Sequence, residues 1–229
     1  MKAIAVALAV LDFAPVFFLS LGLFFLAQLV DRLDTRCRRM ALSGFALVTM
    51  GGLARAASNL AVAFSGAEIP LLATSLYVFA APGFTLMAGA LIRGRATSLG
   101  RSIRRDPWLL PTALSWVGLL VAFYLHARTD GHGDWSRVLL ALALISSAAT
   151  CVVTAALGWM RQLHMAAALL VFNVVATATF VAVRMLAPQN LLVQLFSEIL
   201  NLSGEAAFAF ACWRVAAEYQ ARIGPIATR

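Results

Sequence analysis

Charged residues are scarce in this chain, and lysine is almost absent. Only 12% of the 229 residues are charged, 62% are hydrophobic, and Lys2 is the single lysine. So few charges cannot cover the surface of a soluble globule, and the mean hydropathy of +0.88 points in the same direction. The composition therefore predicts an all-α integral membrane protein.

The chain also lacks the usual signatures of metal sites and enzymes. Its three cysteines, Cys37, Cys151 and Cys212, have no metal-ligand spacing, and we interpret them as reduced and structural. The motifs GxSxG, HExxH and GxxxxGK[ST] do not occur. We therefore predict that the protein is not an enzyme, and the sequence identifies no cofactor.

Seven apolar segments follow one another along the chain. A helix needs about 20 residues to cross a bilayer, and residues 13–30, 41–64, 70–92, 107–125, 138–158, 165–187 and 191–213 meet that length. Residues 1–11 are interpreted as a retained start, with Asp12 as an N-cap and Pro15 in the first turn of the helix. Because no stretch is left for a soluble domain, residues 1–229 are predicted to form one transmembrane domain.

The basic residues are distributed unevenly between the two ends of the predicted spans. The first, third and fifth loops and the tail hold 13 Lys and Arg residues, whereas the N-terminus and the other loops hold 3. By the positive-inside rule the N-terminus is outside and the C-terminus is cytoplasmic. The same rule explains the basic excess of 18 to 10 better than nucleic-acid binding does.

Spans one to three and five to seven share their orientation around a single fourth span, which is compatible with a 3+1+3 arrangement. Aligning residues 76–93 with 197–214 matches Gly83 to Gly204 and Arg93 to Arg214. Two alanines also match. Parallel three-helix repeats of this kind occur in membrane carriers.

The seventh span carries a polar stripe made of Gln194, Glu198, Asn201 and Glu205. Spacings of four, three and four residues place all four on one face of a helix. A carboxylate in the hydrocarbon core is costly unless it is paired, protonated or facing water. Other spans must therefore supply partners for Glu198 and Glu205.

Arg55 of the second span is the predicted partner of Glu198. The two residues lie within roughly one helical turn of the same depth, so their side chains can neutralise each other. Asn59 lies one turn further out on the face of Arg55. Such a pair can hold two helices together or can exchange during turnover, and both alternatives stay open.

The sixth span adds a second polar face. Asn173 and Thr177 share this face, and Arg184 extends it toward the outer interface, where it is interpreted as an anchor. Glu205 has no basic residue at its depth, which suits either a proton-coupled group or a protonated structural acid. We place a substrate or proton site between spans two, six and seven, with the candidate residues Arg55, Asn59, Asn173, Glu198, Asn201 and Glu205.

The remaining polar groups are interpreted as structural. Ser147, Thr150, Cys151 and Thr154 line one side of the fifth span and are predicted to serve helix packing. The outer loop of residues 130–134, with His126, is interpreted as a solvated turn rather than a metal site. His164 lies on the cytoplasmic side, so no transmembrane histidine pair for haem is expected.

The outline of seven spans with an external N-terminus resembles that of the microbial rhodopsins. That family holds retinal on a lysine in its last span, and this chain has no lysine there and no Trp or Tyr in its sixth span. The plan of three, one and three spans is similar to that of the SWEET and PQ-loop carriers, although the single Pro-Gln pair, Pro188-Gln189, lies in an outer turn. The resemblance is one of architecture.

These observations favour a small membrane carrier or channel-like protein of a bacterial inner membrane. Its expected partners are the lipid bilayer and a small solute or proton, with no role for nucleic acid. The alternative is a seven-helix sensor or scaffold subunit that docks into a larger membrane complex or forms a homo-oligomer. A lipid enzyme is disfavoured because no nucleophile and base occur together.

Overall fold

The computed structural model describes residues 2–66, 69–101, 106–128, 135–186 and 191–222. Helices fill most of these ranges, and no strand occurs in them. The helices are α1 Lys2–Leu11, α2 Phe13–Leu33, α3 Arg38–Ser65, α4 Pro70–Ser98, α5 Leu109–Arg128, α6 Trp135–Met160, α7 His164–Leu186 and α8 Leu191–Arg222. A short 3-10 turn, Thr35–Cys37, joins α2 to α3. The all-helical prediction is confirmed.

Six segments of the described chain are long and apolar enough to cross a membrane. They are Val6–Leu33, Thr35–Ser65, Thr74–Ser98, Leu109–Arg128, Trp135–Met160 and His164–Leu186. They indicate an integral membrane protein. The predicted seventh span corresponds to α8, whose length suffices but whose polar stripe lowers its hydropathy.

The packing of the long helices forms a closed ring. Going round it, α2 packs on α3, α3 on α4, α4 on α6, α6 on α7, α7 on α8, and α8 back on α2. Helix α5 lies outside this ring against α4 and α6, and α1 packs on α3 and α2. We refer to α2–α4 as the first unit and to α6–α8 as the second unit.

In each unit the second and third helices approach each other closely at a glycine. In the first unit a side chain on Gly44 would come within 2.7 Å of the carbonyl oxygen of Gly83, so α3 and α4 can only meet this closely because both residues are glycine. In the second unit a side chain on Gly204 would lie 3.2 Å from Cβ of Ala176 on α7. Gly83 and Gly204, matched in the sequence, thus occupy corresponding places in the two units.

The turn between α2 and α3 is fastened to α4. The carboxylate of Asp34 accepts hydrogen bonds from the backbone N–H of Arg36 at 3.1 Å and from the hydroxyl of Thr97 at 3.3 Å. Nε of Arg93 lies 3.6 Å from the same carboxylate, and both side chains are nearly buried. This ion pair fixes the end of the first unit that is predicted to face the cytoplasm.

Candidate functional site

Two pairs of polar side chains lie toward one end of the ring. Nδ2 of Asn59 on α3 donates a hydrogen bond of 2.7 Å to Oδ2 of Asp12, which lies between α1 and α2. The guanidinium of Arg184 on α7 donates to Oε1 of Glu198 on α8 and forms an ion pair with it. The packing of α2 on α8, with Gly22 against Phe208 and Gln28 against Gln220, brings these two pairs toward the same end of the ring. We call Asp12, Asn59, Arg184 and Glu198 the outer cluster.

The outer cluster matches each acid with a donor. An ionised carboxylate can only accept hydrogen bonds. Arg184 supplies a cation to Glu198, and Asn59 donates to Asp12. Glu198 is only 8% exposed, so its charge depends on its ion-pair partner rather than on water.

Two predictions about this region are wrong in their details. The cation on Glu198 is Arg184, whereas Arg55 was expected; Arg55 is exposed on α3, and α8 packs on α2, α7 and α6 instead of α3. Asp12 lies at the N-cap position of α2, but its side chain makes no capping hydrogen bond and is bound by Asn59. Arg184, interpreted as an interface anchor, is 38% exposed at its side chain and also lies over the ring of Phe180.

A second polar group, which we call the inner cluster, lies between α6, α7 and α8. It consists of Cys151, Asn173 and Glu205. The thiol of Cys151 donates to Oδ1 of Asn173 at 3.5 Å, and Nδ2 of the same amide is buried without a hydrogen-bond partner. The carboxyl group of Glu205 is close enough to Cys151 to interact with it electrostatically. No ion pair to Glu205 occurs within the described part of the chain.

The structure thus divides the predicted site residues between two places. Asn59 and Glu198 belong to the outer cluster, while Asn173 and Glu205 belong to the inner cluster. Asn201 is half-buried on α8 between the two glutamates. Asp12 and Arg184 were not among the predicted site residues. Arg184 lies opposite Glu198 across the α7–α8 hairpin. Their short separation in the sequence could have indicated this pairing.

The hydroxyl groups of α6 were predicted to serve helix packing. Thr150 and Thr154 are fully buried and donate to the carbonyls of Ser146 and Thr150, at 2.9 and 2.8 Å. The contact between helices comes from Ser146, whose hydroxyl lies 3.0 Å from that of Thr85 on α4. Sequence reasoning missed this pair because the spacing of residues along α6 does not show which residue of another helix faces Ser146.

Two open grooves lie on the outside of the ring. One, of about 310 Å³, is lined by small residues and by Trp159 and His164, whose rings stack edge to face at 4.5 Å. The other, of about 270 Å³, involves His126 and Trp135 at the opposite end of α6. Neither includes Glu198 or Glu205.

Metal binding finds no support among the residues that the structure describes. No group of three or more His, Cys, Asp or Glu side chains in these ranges could hold a metal ion. The loop of residues 130–134 lies outside the described ranges.

Comparisons with protein-family models, with curated proteins and with solved structures give no match for this chain.

Proposed function

We propose that this protein is a small membrane carrier or channel-like protein whose transport is coupled to protons. The observation that carries the proposal is the ion pair between Arg184 of α7 and the largely buried Glu198 of α8, which lies within helices predicted to span the membrane. Ionisable groups within membrane helices are costly, and in pumps and transporters they mark proton and ion pathways.

The inner cluster is the second proton-binding site of the proposed pathway. Glu205 lies about two helical turns along α8 from Glu198, with Asn201 between them. Without an ion pair, a carboxyl group in this position suits the binding and release of a proton, or contact with a cationic or hydroxylated solute. The solute class we propose is therefore small and polar.

Proton movement in liposomes tests this function. Purified protein in sealed vesicles should dissipate an imposed pH gradient, read from a trapped pH-sensitive dye, in the presence of a transported member of a panel of small cations and hydroxylated solutes. Glu198→Gln should reduce this movement to the level of empty vesicles, because glutamine keeps the shape of the side chain but cannot ionise.

Glu218→Gln on the same helix is the matched control and should behave like the wild type. Proton movement that survives unchanged in Glu198→Gln would contradict a coupling role for the outer cluster. No movement with any solute of the panel would count against the carrier itself.

The proposal includes seven spans in a bacterial inner membrane, with the N-terminus outside. We expect a reporter fused after Arg229 to be cytoplasmic and one inserted at Gly131 to be external, because 13 of the basic residues fall on one side and 3 on the other. Reporter activity in whole cells measures both positions. Two reporters on the same side would contradict an odd number of spans and exclude α8 as the seventh.

A sensor or scaffold subunit is the second candidate. The two grooves favour it, since both open to the outside of the ring and both present a histidine beside a tryptophan. A subunit of this kind would move no protons when purified alone and would run in mild detergent as part of a larger complex or homo-oligomer. The vesicle experiment therefore separates the two candidates.

A further inference from the structure

A groove on the outer surface of the second unit lies between α6 and α7. Its volume of about 310 Å³ is near the lower end of the range for ligand pockets, which is roughly 300–1,000 Å³. Along α7 it extends from His164 to Val171, about 10 Å at 1.5 Å per residue. Its other lining residues are Trp159 and the alanines Ala155, Ala156, Ala167 and Ala168. We call it the α6–α7 groove. Because both helices are candidate membrane spans, a hydrocarbon chain suits its walls.

The mouth of the α6–α7 groove has a fixed polar geometry. Helix α6 ends in a Schellman turn, in which the N–H of Leu163 donates to the carbonyl of Gly158 at 2.9 Å. This turn places Gln162 at a φ of +62°, a conformation that glycine usually supplies. The side chain of Gln162, which a glycine would lack, accepts a hydrogen bond of 3.0 Å from Nε2 of His164. The imidazole also stacks edge to face on Trp159, so two contacts hold it at the mouth.

The charge at this mouth is positive, and neither helix carries an acid to offset it. No Asp or Glu occurs between residues 135 and 197, so the charged residues of α6 and α7 are all basic. Arg161 directly follows α6, and its guanidinium lies 4.7 Å from the ring centre of Tyr219. A contact with a ring occupies none of the five N–H donors of an arginine. Arg161 can therefore also donate to an anion at the mouth.

We propose that the α6–α7 groove binds one acyl chain of an anionic phospholipid, whose phosphate is held at the mouth by Arg161 and His164. The protonated imidazole donates to the phosphate through Nδ1 while Nε2 stays on Gln162. Trp159 occupies the interfacial position that tryptophan favours in membranes. Basic pockets between helices on the cytoplasmic side bind anionic headgroups in other membrane proteins. This site does not depend on the proposed function, since a carrier and a scaffold subunit can both hold a lipid.

A second copy of this chain is the main alternative occupant, because small residues let membrane helices approach closely. Charge argues against it. Copies in one membrane share an orientation, and the side of the chain that includes this mouth carries 13 of the basic residues. A neighbouring copy would bring its own arginines toward Arg161, which is unfavourable, whereas an anionic headgroup neutralises that charge.

Native mass spectrometry tests the lipid site. The purified full chain in mild detergent is titrated with phosphatidylglycerol and, separately, with phosphatidylcholine of the same acyl chains. One phosphatidylglycerol per chain should be retained at about tenfold lower concentration than phosphatidylcholine, because basic groups contact the anionic headgroup. Arg161→Gln should reduce this preference about fivefold and leave the retention of phosphatidylcholine unchanged.

Ala168→Trp is the deciding variant, because Ala168 is an exposed residue of the groove and a tryptophan there fills it. The variant should lose the retained phosphatidylglycerol, whereas Ala178→Trp, at an exposed position of α7 outside the groove, should keep it. If Ala168→Trp does not fold, Val171→Trp at the far end of the groove replaces it, since Val171 is 58% exposed. Equal retention of both lipids, or phosphatidylglycerol retained unchanged by the filled variant, would overturn the lipid site. A homo-oligomer that the filled variant dissociates, with no lipid retained by the wild type, would overturn it too and assign the groove to a second copy of the chain.

Discussion

Replacing Arg184 by alanine should lower the free energy of unfolding by about 3 kcal/mol, near the lower end of the range for breaking a buried ion pair. The reason is that Glu198, whose side chain is 10% exposed, would lose the cation with which it forms an ion pair. Glu198→Ala should cost less, since Arg184 is 38% exposed and can turn toward solvent. Unfolding in mixed detergent micelles provides the measurement.

The double variant measures the interaction between Arg184 and Glu198 separately from their other contacts. Arg184→Ala combined with Glu198→Ala should cost less than the sum of the single changes, because the second change removes the charge that the first one stranded. Arg128→Ala, which removes an exposed arginine lying over the ring of Tyr124, is the control and should have a small effect. Additive losses in the cycle would show that Arg184 and Glu198 contribute independently.

The positions of the helices could be predicted from the sequence because hydrophobic segments are long and separated by polar turns. The fifth predicted span, 138–158, lies inside α6, and the second, 41–64, lies inside α3. The helices extend further, most clearly at α8, which continues to Arg222. Hydropathy identifies the part of a helix that lies in the hydrocarbon core of the membrane. The backbone hydrogen bonds of the helix continue beyond this part into the polar interface.

The partner of Glu198 could not be found in the same way. The depth of a residue in the membrane can be predicted by counting residues along its span. By this measure Arg55 and Glu198 lie at similar depths. Contact also depends on which helices are neighbours, and α8 packs on α7 and α2 rather than on α3. Arg184 and Glu198 face each other across a short connection, as residues of an antiparallel hairpin do.

Asp12 shows how a local rule can hide a long-range contact. An aspartate before an apolar helix suits an N-cap, and Asp12 does directly precede α2, although its backbone is helical rather than extended. Its carboxyl group instead accepts from Asn59, which is 47 residues away. Because the two residues are so far apart in the sequence, no local pattern indicated this contact. The need of Glu198 for partners did predict that other helices would contribute polar side chains.

The two units have the same helix order but different polar content. The first unit brings Gly44 against Gly83, a contact without side chains, whereas the corresponding place in the second unit holds Gly204 beside Asn173. Nδ2 of Asn173, which has no hydrogen-bond partner, and the carboxyl group of Glu205 both lie in the second unit. This difference is the reason to expect proton exchange at Glu205.

Glu205→Gln should abolish proton-coupled transport while the fold survives. Glutamine keeps the size and hydrogen-bonding groups of a protonated glutamic acid, so the free energy of unfolding should change by no more than about 1 kcal/mol. It cannot ionise, so a carrier that loads and releases a proton at Glu205 would stop. The measurement is dissipation of a pH gradient in vesicles across mildly acidic to mildly alkaline buffers.

Asn201→Leu, one turn away on the same helix, is the matched comparison. It removes a polar group without removing an ionisable one, and we expect weaker transport rather than none. If Glu205→Gln transported like the wild type over the whole pH range, Glu205 would be a structural acid that holds α8 against α6 and α7. The sensor or scaffold function would then be the better explanation of the chain, because the inner cluster would have no protons to exchange.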